Sequence, residues 1–270
     1  MKIKYWLPFL TLALTTSTPG VSAQESEMSA LDIIGQVNAR EDGEHVTRSL
    51  TIELTDRRGI KRVEKTQGYR KYFGEEKRTV LFYTEPSNVR GTGFLTFDYA
   101  DSEQDDDQWL YLPALRKIRR ISSSNRGDYF LGTDLTYEEI KKENKIETED
   151  YVFRLLGEST YEGHKVFDVE ATPVDGDVAK ELGYSKVLLH VDPSIWMSRK
   201  SEFWDLNGNR LKTVANSSIV QIGGIWTTLE ISVENHKTEH KTLLLFSDVD
   251  YTTPIDDAVF TQARLRRGLR

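Results

Sequence analysis

Most of the chain alternates polar and apolar residues with a period of two, the pattern of strands with one buried face. Leu50, Ile52 and Leu54 alternate with Thr51, Glu53 and Thr55, and similar runs follow at 78–84 ("RTVLFYT"), 93–100 ("GFLTFDYA") and 108–113 ("QWLYLP"). After a charged interval come "DYVFRLLG", "KVFDVEAT" and "SKVLLHVD", then "SRKSEFWDL", "RLKTVANSSIVQI", "GIWTTLEISVEN" and "HKTLLLFSDVDY". About eleven strands are predicted. Tight turns such as Asn207-Gly208 join several of them, so the sheet is expected to be antiparallel. Two stretches read as helix instead. Ser29 precedes Ala30, Ile33, Ile34 and Val37, with Asp32 three residues on, which predicts a capped amphipathic helix over 29–41. Thr136 followed by Glu139 is a second capping box, opening "YEEIKKEN", and leaves 122–135 as a long loop leading into it.

Several strands carry large apolar residues on both faces: Trp109 and Tyr111 point one way, Leu110 and Leu112 the other. A sheet apolar on both sides must be covered twice or curve around something. With so little helix available, the pattern implies a mainly β (α+β) fold, a strongly curved antiparallel sheet wrapped around a few helices and an apolar cavity. A closed core without a cavity fits the same periodicity.

Composition narrows the setting. Residues 1–23 have the three parts of a secretory signal: Lys2 and Lys4, an apolar run over 5–14, and small residues ending Val21-Ser22-Ala23, with cleavage expected after Ala23. Its removal takes two of the 36 basic residues and none of the 43 acidic ones, moving the net charge from −7 to −9. That balance disfavours general nucleic-acid binding. No later segment is apolar for long enough to span a bilayer as a helix. With no cysteine, neither a disulfide nor a lipid-modified cysteine is available, and a hydrophobic core must supply the stability. No low-complexity linker interrupts 24–270, which predicts a single domain there.

Candidate chemistry is sparse. There is no Gly-x-Ser-x-Gly, and His45, His164, His190, His236 and His240 lie in separate turns and strands, so no enzyme, metal or cofactor is expected. His236 and His240 stand four apart, but in a β-turn rather than on a helix, and read as exposed hairpin residues. The acidic run at 101–108 lacks the glycine and terminal glutamate of a calcium loop and reads as solvated. The basic stretch "RKIRRISSSNRGD" at 116–128 contains an Arg-Gly-Asp tripeptide, too short to count as an adhesion motif. A turn at Pro113-Ala114 would set Tyr111 opposite Arg116, Trp109 opposite Ile118 and Asp107 opposite Arg120, answering much of that charge inside the protein.

Residues 90–140, from "RGTGFLTFDYA" through "RGDYFLGTDLTYEEI", closely resemble the central signature of bacterial outer-membrane lipoprotein-sorting proteins, relatives of the LolA and LolB carriers. "HVDPSIWMSRKSEFWDLNGNRLKT" at 190–213 and "PIDDAVFTQARLRR" near the end resemble the same family. The resemblance implies an incomplete β-barrel around helices, a cavity for acyl chains, and a periplasmic carrier of lipoprotein or lipid working with an RND/MMPL-type exporter. An envelope sensor built on the same superfold is the alternative. Candidate cavity residues are Leu81, Tyr83, Phe94, Phe97, Trp109, Tyr111, Trp196, Phe203 and Trp226, with ordinary core packing open for each. Lys117, Arg119 and Arg126 are candidates for meeting a headgroup or a partner.

Overall fold

The computed structural model describes residue 1 and residues 28–101, 104–143 and 145–269. The predicted secretory signal at 1–23 lies outside the described residues apart from Met1. Thirteen antiparallel strands form one curved open sheet: β1 (His45–Thr55), β2 (Lys61–Phe73), β3 (Glu76–Glu85), β4 (Gly93–Asp98), β5 (Asp107–Leu112), β6 (Lys117–Ile121), β7 (Tyr151–Tyr161), β8 (His164–Pro173), β9 (Lys186–Asp192), β10 (Met197–Trp204), β11 (Arg210–Ile222), β12 (Ile225–Asn235) and β13 (Lys241–Asp250). The spatial order is β6-β5-β4-β3-β2-β1-β13-β12-β11-β10-β9-β8-β7. Two sequential meanders, β1–β6 and β7–β13, are therefore joined where β1 pairs with β13, with Leu50 opposite Phe246 and Ile52 opposite Leu244. Strands β6 and β7 are the two edges.

The expected eleven strands become thirteen: β2 is not among the eleven, and β6 is expected as the hairpin partner of β5 but not counted. Strand β2 escapes a hydrophobic pattern because its buried face is polar: Glu64, Thr66 and Arg70 are only 2–3% exposed, and Gly68 lies between them. The β5–β6 register also differs from expectation. Tyr111 lies opposite Ile118 and Trp109 opposite Arg120, because the turn takes four residues, 113–116, with Arg116 at φ 50°. A slip of two preserves face parity, so Arg120 still reaches Asp107 at 2.7 Å, now diagonally, while Arg116 is left exposed in the turn.

Helix α1 (Ala30–Ala39) opens at Ser29, whose hydroxyl accepts from Asp32 N while Asp32 accepts from Ser29 N. Helix α2 (Tyr137–Lys142) opens at Thr136 with the same reciprocal box to Glu139. Both lie on the inner face of the sheet. The intervening loop carries a short 3-10 turn at Ser123–Asn125 and a bridge between Tyr129 and Thr136, and it buries Phe130 against Phe94 and Tyr137. Helix α3 (Gly176–Leu182) follows β8, and α4 (Gln262–Arg267) closes the described chain. Among the described residues no helix is long and apolar enough to cross a membrane.

Two apolar clusters occupy the inner face. One gathers Ile33, Ile34 and Val37 of α1 with Val169, Ala171, Leu189, Val191 and Phe203. The other gathers Leu50, Leu81, Tyr83, Phe94, Leu110, Phe130 and Leu244. A third lies on the outer face, where Ile255, Phe260 and Leu265 of the C-terminal segment cover Val80, Phe82 and Leu95. The two-sided strands β3–β5 are thus covered twice, by α2 and its loop inside and by the C-terminal segment outside.

Candidate functional site

A cavity of about 230 Å³ lies on the inner face between the first two clusters. Its lining draws Val37, Ala171, Val187, Leu189, Val191 and Phe203 from one and Leu50, Leu81, Leu135 and Leu244 from the other. Val214 of β11 packs against both clusters and lines the space between them. Close-packed interiors leave few voids larger than a water.

The remaining wall is charged. Arg70 donates to the carboxylate of Asp42 at 3.1 Å and to its backbone carbonyl, and Arg48 pairs with Glu143. Arg70 Nε stands 3.9 Å from Glu143 Oε2, beyond hydrogen-bonding range. Burial pushes the Glu143 carboxyl up, but Arg48, Arg70 and Lys77 outweigh it and hold the group below its ordinary value. Lys145 donates to the carbonyls of Asn38 and Arg40, with Asp42 Oδ1 3.8 Å away. Arg40 donates to the carbonyls of Glu41 and Trp226. Burial lowers both Arg40 and Lys145 from their ordinary values more than Asp42 raises them. The Tyr151 and Tyr184 hydroxyls, also on the wall, meet at 2.6 Å.

Behind this wall Asp98 receives Lys77 at 3.0 Å and Lys142 at 2.6 Å, and Lys142 also holds Glu147 at 2.6 Å. Burial raises the Asp98 carboxyl, yet Lys77, Lys142 and Lys141 together bring it down to about 2. The acidic run read as solvated is partly engaged here: Asp106 pairs with Lys141, and Asp107 with Arg120. Lys212, buried in β11, donates to Glu139 at 2.7 Å and to the Asp134 carbonyl at 2.9 Å, which ties α2 to the sheet.

Of the nine candidate cavity residues, Leu81, Phe203 and Trp226 line the cavity. Tyr83 and Phe94 are buried in the neighbouring inner cluster, and Trp196 packs at the margin of the α1 cluster. Phe97, Trp109 and Tyr111 sit on the outer face with the C-terminal segment. Lys117 and Arg119 are exposed on edge strand β6, whereas Arg126 is held by Asp150 at 2.7 Å and Glu181 at 3.3 Å. The Arg-Gly-Asp is part of the same clamp: a Cβ on Gly127 would come within 2.3 Å of the Glu181 carbonyl, and Asp128 accepts from Asn125. The hairpin histidines have partners, His240 with Asp134 at 2.6 Å and His236 with Thr213 at 2.8 Å.

The charged wall of Arg40, Asp42, Arg48, Arg70, Glu143 and Lys145 was not legible from apolar periodicity. One signal existed for its β2 member: turn residues at Arg58-Gly59 and Gly74-Glu75 bracket a stretch of strand length whose alternate positions include Arg70.

A family profile described only as an uncharacterized protein matches residues 75–267. A DUF1329 family protein from Desulfovibrio piger superposes with a TM-score of 0.80 at 27% identity, covering 87% of this chain and 97% of that one. A putative outer membrane lipoprotein-sorting protein domain from Vibrio parahaemolyticus superposes with a TM-score of 0.80 at 29% identity, covering 88% and 98%. A LolA superfamily protein from Nitrosomonas europaea shares the fold, with a TM-score of 0.66 at 22% identity over 88% and 99%. A comparison with curated proteins returned no match.

Proposed function

The chain belongs to the DUF1329 family and is similar in structure to an outer membrane lipoprotein-sorting protein domain and a LolA superfamily protein, and from that premise we propose that it is a periplasmic, non-enzymatic carrier of acyl chains. It holds a chain of a lipoprotein or lipid in the inner cavity and shuttles it between envelope membranes, together with an RND/MMPL-type exporter. The observation that carries this reading is the apolar space between two otherwise well-packed clusters, walled by Leu50, Leu81, Leu189, Phe203, Val214 and Leu244. Each methylene withdrawn from water is worth about 0.8 kcal/mol, so a shuttle needs such a space and no covalent chemistry. An occupant would also restore the contacts that an empty space forfeits.

Native mass spectrometry of protein purified from its own periplasm tests the proposal. A bound lipid or lipoprotein is expected. Protein recovered free of lipid, and unable to take up a fluorescent fatty acid, would refute it.

A further inference from the structure

The cavity has two unlike ends, and the charges at one of them do not balance. Four cations, Arg40, Arg48, Arg70 and Lys145, gather around two carboxylates, Asp42 and Glu143. The wall's other carboxylates are engaged by other cations: Glu138 by Lys141, Glu139 by Lys212, Glu147 by Lys142 and Asp150 by Arg126. Arg48 and Arg70 take the two carboxylates. Arg40 has no carboxylate within 4 Å among the described residues and rests on carbonyl oxygens; its buried Nε has no hydrogen-bond partner among them. Lys145 likewise bonds carbonyls, with its carboxylate at 3.8 Å. Arg70 is 2% exposed, and its Nε also lacks a hydrogen bond among the described residues. Keeping a half-buried positive charge without a hydrogen-bonded anion is costly, and burial pulls both Arg40 and Lys145 below their ordinary values.

Resting on the carrier reading, we infer that the ligand is a single-chain amphiphile with an anionic head, its carboxylate or phosphate held by Arg40, Lys145 and Arg70 and its chain between Leu81, Val214 and Leu244. A volume of about 230 Å³ falls below the roughly 300–1,000 Å³ of pockets for drug-sized ligands, which favours one chain over two or three. The anion completes the charge set, and the apolar end takes the chain. Neither half explains the other: a purely apolar cargo leaves the cations unanswered, and a bare anion leaves the apolar walls exposed to water.

Calorimetric titration of the full chain with dodecanoate, dodecyl phosphate, dodecanol, acetate and inorganic phosphate tests this. Dodecanoate or dodecyl phosphate should bind at least about tenfold more tightly than dodecanol, the effect of one or more charge-assisted hydrogen bonds. The tighter of the two identifies the head. Lys145→Gln and Arg40→Gln should each shrink the gap to dodecanol, while Lys145→Arg keeps it; two variants guard against one failing to fold. Dodecanol binding as tightly as dodecanoate would overturn the headgroup inference and leave the carrier reading intact. Acetate or phosphate binding as tightly as the chain-bearing anions would also overturn it. No binding of any chain-bearing ligand would sink both.

Discussion

Filling the cavity at Val214 separates a binding space from an ordinary packing flaw. Val214 sits on β11 opposite Ser201 of β10 and Val233 of β12, and lines the cavity where the two inner clusters meet. Val214→Phe adds about four carbons there. At about 0.8 kcal/mol per buried methylene the ring gains up to about 3 kcal/mol. Overpacking against neighbours that cannot yield takes back about 1–3 kcal/mol. The net change in stability is therefore small or favourable, a gain of up to about 2 kcal/mol in urea denaturation. An acyl chain excluded from the same volume loses the burial of about four methylenes, about 3 kcal/mol or roughly a hundredfold in affinity. Dodecanoate titrations and urea melts on one preparation give both quantities. A folded Val214→Phe protein that binds dodecanoate as tightly as the wild type would refute the placement of the chain in this cavity.

Asp98→Asn leaves Lys77 and Lys142 facing a neutral amide, and should cost about 3–5 kcal/mol at pH 7. The folded Asp98 carboxyl, at about 2, lies below its ordinary 3.8, so its contribution of about 2–3 kcal/mol is complete above pH 4 and is lost as pH falls through 2. The stability gap between variant and wild type should narrow at pH 2; an equal gap at pH 7 and pH 2 contradicts the assignment. Gly127→Ala should cost more than about 2 kcal/mol, because the new Cβ meets backbone rather than a movable side chain. An unchanged melting temperature would disprove that close approach. Leu265→Ala, in the fully buried outer cluster, should lose about 2–5 kcal/mol while leaving dodecanoate affinity unaltered, since that cluster lies across the sheet from the cavity. A parallel loss of affinity would show that the two faces are coupled.

What the sequence by itself determined is local. The capping boxes at Ser29 and Thr136 and the period-two strands could be read directly, because a cap depends on residues three apart and a strand's parity on immediate neighbours. Parity also placed Trp109, Tyr111 and Arg120 on one face despite the register slip. It did not say which face was inner. That was decided by cover: α2 and its preceding loop lie over Leu81, Phe94 and Leu110, while the C-terminal segment, far away in sequence, lies over Leu95 and Trp109. Strand β2 shows the same limit from the other side. Glu64, Thr66 and Arg70 read as a solvent face, and only the approach of Asp42 and Glu143 lets Arg70 be buried as an ion. The cavity is the most tertiary feature of all. No residue type encodes a void; it exists because two clusters built from distant strands stop short of each other around Val214, with Arg40 and Lys145 resting mainly on carbonyl oxygens at its polar end.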